Sequence, residues 1–387
     1  MVSANRFARR AGARVNPQSD AIDAQFSVSW THRYRCTSNA FALKSPLTEL
    51  IDNLKPIQLL VVIDQGLHNA NQRLLPSVES WQESLKCEKR KPILVAGGEE
   101  AKNNDQVVNL VFEAINNNKL CRKSCVLVIG GGAVLDAVGY ATSLAHRGIN
   151  LIRMPTTTLS ACDSGVAVKN GINRFGKKNF VGVFDPPYAV VNDLSLLSTL
   201  DDRHWRSGIS EAIKVALVKD EPFFNYIESN AEELVDREVE TMANVVATSA
   251  KLHLRHITEG GDPFERLEAR PLDFGHWAAH KLEQLTNYEL THGEAVSIGI
   301  AIDLKCSVIL EHLDEAVASR AITLLQAVGL PTSNLAIKDP ALLDGIQEFR
   351  EHLGGELTLL MLKSIGQPID VHSLSNEIVQ QAISELV

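Results

Sequence analysis

The stretch Val126-Leu-Val-Ile-Gly-Gly-Gly-Ala-Val-Leu-Asp136 constrains this chain most. An apolar run ends in three glycines, and a helix-compatible pattern begins at once. The pattern predicts a buried strand that turns tightly into a helix. Glycine lets a diphosphate approach the backbone closely, and a helix N-terminus offers free N–H groups and a partial positive charge. Most such turns are only tight turns; together with the motifs that follow in fixed order, this one suggests a nicotinamide site, with Asp136 about one turn into the helix.

Similar runs recur around it. Leu59–Ile63, Pro92–Val95, Leu151–Met154 and Ala189–Val191 read as further buried strands, and 25–36 alternates apolar and polar residues like an early strand. Near-continuous apolar strands alternating with helical segments mean a parallel sheet covered on both faces. Beyond about residue 205 strand-like runs give way to amphipathic segments at 207–219, 222–234, 237–257, 275–286, 293–312, 314–328 and 340–352, with one short strand near Thr358–Lys363. The expected architecture is an α/β N-terminal Rossmann-like parallel-sheet domain over 25–205 and an all-α C-terminal metal-binding domain over 206–387. Residues 1–24 form an arginine-rich, acid-poor leader expected to be disordered; a transit peptide is the other reading.

Composition narrows the class. Of 387 residues, 45 % are hydrophobic, enough for a large core, yet no apolar run approaches the length of a membrane span. The net charge of −9 argues against a nucleic-acid partner. The six cysteines are scattered and read as buried reduced thiols, which fits a cytoplasmic protein.

Side chains suited to zinc lie in the helical half: Glu211, His276, His280 and His292. By spacing alone His276 and His280, at i and i+4, share a helix face and are the obvious pair; two such histidines are also often solvated or satisfied by core partners. Lys102, Lys169, Lys178 and Lys214 sit in apolar or glycine-bounded contexts and suit an anion pocket. Asp136, Asp163 and Asp273 lie in apolar company, where an acid needs a partner. Thr156 and Thr157 follow a strand directly, placed either for a cofactor contact or for ordinary helix capping. With the glycine turn in one half and the metal-type residues in the other, the site is expected between them.

The ordered set Gly98-Glu-Glu-Ala-Lys102, Gly130-Gly-Gly-x-x-x-Asp136, Arg147-Gly148, Pro155-Thr-Thr157, Asp163 through Lys169, Lys178-Asn179-Phe-Val-Gly182, Gly208-x-x-Glu-x-x-Lys214, Asp273-Phe-Gly-His276 and His292-Gly-Glu294 resembles the dehydroquinate synthase family of sugar phosphate cyclases, from about Asp64 to Ile365. The resemblance implies a homodimer that uses NAD and one divalent metal, zinc or cobalt, on a phosphorylated sugar. It implies metal ligation by Glu211, His276 and His292, with His280 turned toward substrate instead. NAD contacts carry over to Asp64, Gly98, Glu99, Lys102, Gly131, Gly132, Asp136, Thr156, Thr157, Lys178 and Thr199. Substrate contacts fall to Asp163, Lys169, Asn179, Lys214, Asp273 and His280, and Arg147 reaches the substrate phosphate of the neighbouring subunit.

The pattern also departs from that family. The usual Arg-x-x-x-Asn before Phe-Gly-His reads Ala269, with Arg270 one residue late, and Asp273. The usual Asp-Lys-Lys near the C-terminus reads Phe349-Arg350-Glu351. An anionic Asp273 repels a substrate carboxylate, which resembles the valiolone-forming cyclases, whereas His280 resembles dehydroquinate synthases. The string Arg270–Glu283 looks most like a separate EboD-type branch of dehydroquinate synthase-like proteins. A carboxylate-free sugar phosphate is therefore favoured over the dehydroquinate precursor. A metal-dependent polyol dehydrogenase and a non-catalytic scaffold are the readings from other classes.

Overall fold

The computed structural model describes residues 23–260, 262–264, 271–352 and 357–387. Nearly all of the expected leader lies outside them, as do Ala269 and Arg270. The described chain divides at Thr31/His32 into two units. In the first, residues 23–31 hold no regular element, and Phe26, Val28 and Trp30 are 89 %, 58 % and 52 % exposed. This corrects the expected strand at 25–36, whose apolar alternation has no core face to fill. The strand begins only at β1 (Tyr34–Thr37), which pairs in parallel with residues 190–193.

In the second unit β2 (Gln58–Asp64), β3 (Glu88–Lys89), β4 (Ile93–Val95), β5 (Cys125–Gly130), β6 (Asn150–Pro155) and β9 (Ala189–Asp193) join β1 in one seven-stranded sheet. The order is β1-β9-β6-β5-β2-β3, with β4 also on β2, and every pairing is parallel. Side chains alternate across a strand, so Leu59, Val61, Ile63, Leu127 and Ile129 fill one apolar layer while Leu60, Val62, Val126 and Val128 fill another. Burial on both faces explains the continuous apolar runs.

Helix α1 (Gly132–Leu144) follows β5, and α2 (Thr158–Cys162) follows β6. The chain then forms a hairpin of β7 (Lys169–Arg174) and β8 (Lys177–Phe184), an antiparallel pair apart from the main sheet. Its apolar residues are few in β7 and interrupted by Gly182 in β8, so neither strand stands out in the sequence as a buried run.

The helical half contains α3 (Asp202–Lys219), α4 (Val239–Glu259), α5 (His276–Leu285), α6 (His292–Ile309) and α7 (Asp344–His352). These helices enclose a third apolar core around Trp205, Ile213, Phe224, Trp277 and Leu304. The strand expected near 358–363 is β10 (Leu359–Ser364), paired antiparallel with β11 (Gln367–Val371). No described helix is long and apolar enough to cross a membrane. All six cysteines are free, but only Cys125, Cys162 and Cys306 are buried. Cys36 is exposed on β1 at the sheet edge, and Cys87 and Cys121 are half-buried, which corrects the expectation of six buried thiols.

Candidate active site

Local chemistry places each metal-type residue. Gly208, Glu211 and Lys214 fall at three-residue steps on α3 and so share a face. Gly208 lets the helix sit directly on α2: a Cβ there would lie 2.2 Å from the Thr158 carbonyl carbon. Glu211 and Lys214 are thereby sealed, 0 % and 1 % exposed, with Lys214 Nζ 2.6 Å from Glu211 Oε2.

His276 opens α5 behind Gly275, which takes the left-handed conformation at φ 77°. Asp303, on α6, fixes this turn by accepting from the Gly275 N–H at 2.7 Å and from Trp277 Nε1–H at 2.8 Å. His292 opens α6 behind a capping box in which Thr291 and Glu294 satisfy each other's backbone N–H. Its neighbour Gly293 packs against α3, where a Cβ would lie 2.1 Å from the Ser207 carbonyl oxygen.

These constraints make three helices converge. His276 Nε2 and His292 Nε2 lie 3.6 and 3.4 Å from Glu211 Oε1. Among the described residues, one nitrogen each from His276, His280 and His292 also falls within 4.8 Å of the others. The structure thus gathers both the residues named by the resemblance and the helix-face pair suggested by spacing. The remaining nitrogens orient the rings: His276 Nδ1 faces the Phe274 carbonyl at 3.2 Å, and His292 Nδ1 faces Glu283 Oε2 at 3.0 Å. With protons on Nδ1, each Nε2 presents a lone pair toward Glu211. Both Glu211 oxygens are buried without a hydrogen bond of good geometry. A buried carboxylate so placed, beside imidazole lone pairs, fits a divalent cation in chemistry and in charge.

The electrostatics agree. Burial pushes the Glu211 carboxyl up, but Lys214 and its histidine neighbours hold it at about 2. Burial would likewise raise Asp163, yet Lys214 and His253 keep it well below the carboxylate range. His276 and His280 are lowered, chiefly by burial, whereas Glu283 and Glu211 override burial to raise His292 to about 9, so a cation at its Nε2 would have to displace a proton.

Asp303 carries a pH prediction. Burial raises it to about 7 against the pull of Trp277 and Gly275. Between about pH 4 and 7 the folded state holds this proton and the unfolded chain does not, so its stabilising contribution is present at low pH and fades as pH rises. Asp303→Asn cannot titrate. The stability of the wild type relative to this variant should therefore fall from pH 4 to pH 7.5 in denaturant titrations; a constant difference would contradict the assignment.

The cofactor candidates occupy the sheet side. Gly130 and Gly132 are close-approach positions, where a Cβ would lie 3.0 Å from Val134 and 2.7 Å from Ser164 Oγ. Lys102, buried, pairs with Asp136 Oδ2 at 2.8 Å and also donates to Asn179 Oδ1. Lys178, on β8, pairs with Glu283 Oε1 at 2.6 Å and approaches Glu99 Oε1 at 3.7 Å. Several candidates do structural work as well. Asp64 caps the helix at Gln65–Ala70, Thr157 caps α2 in a capping box, and Thr199 donates to the Leu196 carbonyl. A hollow lined by Lys178, Asn179, Trp277, His280 and Phe349 adjoins the histidines.

Asp163 Oδ1 lies 2.8 Å from His253 Nδ1, and the Asp273 charge acts on Lys214, His256 and His276. Lys169 begins β7, and its charge is felt at His256. Arg147 stands apart, in a left-handed turn beside a hollow with Cys121, Arg122, Lys123, Leu144 and His146. The sequence reading missed His253 and Glu283. Glu283 follows His276 by seven residues, nearly two turns on the same face, and that spacing could have identified it.

Comparison with known proteins gives this geometry a context. Residues 92–207 match the 3-dehydroquinate synthase N-terminal model and residues 208–349 the C-terminal one. The 3-dehydroquinate synthase of Halorhodospira halophila is 33 % identical over 283 residues, 73 % of this chain and 79 % of that protein. That of Teredinibacter turnerae is 32 % identical over 301 residues, 77 % and 82 %. Among solved structures, ValA, the 2-epi-5-epi-valiolone synthase of Streptomyces hygroscopicus with NAD+ and Zn2+ bound, is 25 % identical at TM-score 0.85, covering 95 % of this chain and 99 % of that one. A 2-deoxy-scyllo-inosose synthase complexed with carbaglucose-6-phosphate, NAD+ and Co2+ shares the fold at 24 % identity and TM-score 0.73, covering 92 % and 96 %. The glycine turn, the three converging helices and these extended matches have one explanation: the chain belongs to the 3-dehydroquinate synthase family.

Proposed function

We propose that the protein is an NAD- and divalent-metal-dependent sugar phosphate cyclase, a carbon–oxygen lyase that releases phosphate and closes a carbocycle without net redox change. The observation that carries this reading is the convergence of Glu211, His276 and His292 beside Lys214, within one electrostatic cluster with Asp163. In this reading 25–205 holds the cofactor and 206–387 the metal, and the meeting of the two family models at 207/208 supports the division. Glu211, His276 and His292 would hold the ion, and His280 would face substrate from the adjoining hollow.

When bound, NAD supplies reversible hydride acceptance and the divalent ion polarises a substrate oxygen. The chain's own groups do the rest. Lys214, whose ammonium is stabilised by Glu211 and Asp163, neutralises charge developing on a substrate oxygen. Lys169 and Asn179 bind the phosphorylated end, joined by Arg147 of the second subunit of a homodimer. Asp163, kept ionised by Lys214 and His253, orients a hydroxyl.

Asp273 favours a substrate without a carboxylate. Its charge already acts on Lys214 and His276, and a second anion there is repelled. The dehydroquinate precursor is the second reading, supported by His280 and by the curated relatives. The test is phosphate release over a panel of C6 and C7 sugar phosphates with NAD and Zn2+ or Co2+. The expected result is phosphate equimolar with carbocycle and no accumulation of NADH, with a carboxylate-free substrate preferred. Steady NADH formation from a phosphate-free polyol would overturn the cyclase reading.

A further inference from the structure

Glu283 is 3 % exposed, and its two oxygens serve different masters. Oε2 takes the His292 Nδ1–H at 3.0 Å, while Oε1 takes Lys178 Nζ at 2.6 Å. On the opposite edge of the ring, His292 Nε2 lies 3.4 Å from Glu211 Oε1. Lys178 comes from the β7–β8 hairpin and leans also toward Glu99, at 3.7 Å. Glu283 thus touches both a member of the imidazole cluster and a lysine of the cofactor side.

We propose that Glu283 is a positioning residue that couples the two cofactor sites, so that occupancy of either the metal or the dinucleotide site strengthens the other. The inference rests on the reading above, in which His292 holds the ion and Lys178 meets NAD. Its physical basis is a shared charge. Without dinucleotide, Lys178 takes up much of the negative charge of Glu283. When a dinucleotide engages the lysine, more of that charge falls on the His292 N–H, which orients and strengthens the ligand on its far side. Reciprocity then requires the ion to strengthen dinucleotide binding by the same factor. A purely structural ion pair would contribute to folding and couple nothing.

The test uses the full-length protein stripped of metal. Zn2+ affinity is measured by chelator competition with and without saturating NAD, and NAD affinity by calorimetry with and without Zn2+. The wild type should show reciprocal tightening of roughly tenfold, within the range usual for coupled sites. In Glu283→Gln an amide NH2 must face one of two donors, so Zn2+ affinity should fall about 10- to 100-fold, as for other partners behind a metal ligand, and the coupling should shrink toward none. Lys178→Met keeps the Glu283–His292 contact and frees the Glu283 charge as a bound dinucleotide would; Zn2+ affinity without NAD should therefore rise toward that of the NAD-saturated wild type and change no further when NAD is added. Should Glu283→Gln fail to fold, the wild type and Lys178→Met still decide. Independent affinities in a wild type that binds both ligands would overturn the coupling alone, as would full coupling in a folded Glu283→Gln. A wild type that binds neither Zn2+ nor NAD would overturn the functional reading and this inference together.

Discussion

Glu211→Ala is expected to eliminate metal binding, lower turnover by roughly 10³-fold or more and destabilise the fold. Glu211 and Lys214 are both buried, 2.6 Å apart. Removing one partner of a buried pair leaves the other charge uncompensated, at a cost of about 3–5 kcal/mol. Asp163 also stabilises the Lys214 ammonium, which places the expected loss at the lower end of that range. Glu211→Gln separates the two effects. It keeps the volume and much of the packing, so it should retain more stability than the alanine variant while losing activity to the same degree. Zinc affinity by chelator competition and unfolding in denaturant check both. A Glu211→Gln protein with wild-type zinc affinity would remove Glu211 from the proposed ligand set.

Gly293→Ala should be nearly as damaging, although it changes no charge and removes no ligand. The added Cβ would sit 2.1 Å from the Ser207 carbonyl oxygen and 2.3 Å from Ser207 Oγ. Relief requires α3 and α6 to separate by about an ångström, since ordinary contact begins well beyond 3 Å. Overpacking of this kind costs about 1–3 kcal/mol, sometimes more. The separation also moves His292 away from Glu211, and a 1 Å misplacement at a reacting centre can cost about 10²-fold in rate. Thermal unfolding and steady-state kinetics should therefore fall together. Wild-type values for both would show that the helices adjust freely and that the close approach does not set ligand geometry.

The parts of this molecule legible in the sequence were those whose physics is local. Runs such as Leu59–Ile63 and Val126–Ile129 announce strands because burial on both sheet faces demands uninterrupted apolar residues. The turn at Gly130–Gly132 is legible because side chains would collide there. The β7–β8 hairpin was not, since only Ile172 and Val181 turn toward a core and the polar run Lys177–Asn179 opens β8. The alternation at 25–36 misled because a period-two pattern is sufficient for a strand only when a neighbour supplies the other half of the ladder. In the candidate site, residue types suited to zinc could be picked out, but spacing alone favoured His276 with His280. Bringing Glu211 and His292 to the same point depends on contacts between helices, and so does the role of Glu283, whose partners lie 105 and 9 residues away along the chain.

The close backbone approaches at Gly208, Gly275 and Gly293 fix the three helices that bear the converging donors. Asp273 lies in a short 3-10 turn ahead of α5, and Glu351 on α7. The two sets of residues are thus separable. A redesign that alters only the second set has latitude to retune which sugar is accepted, while the helical frame that supports the chemistry is inherited unchanged.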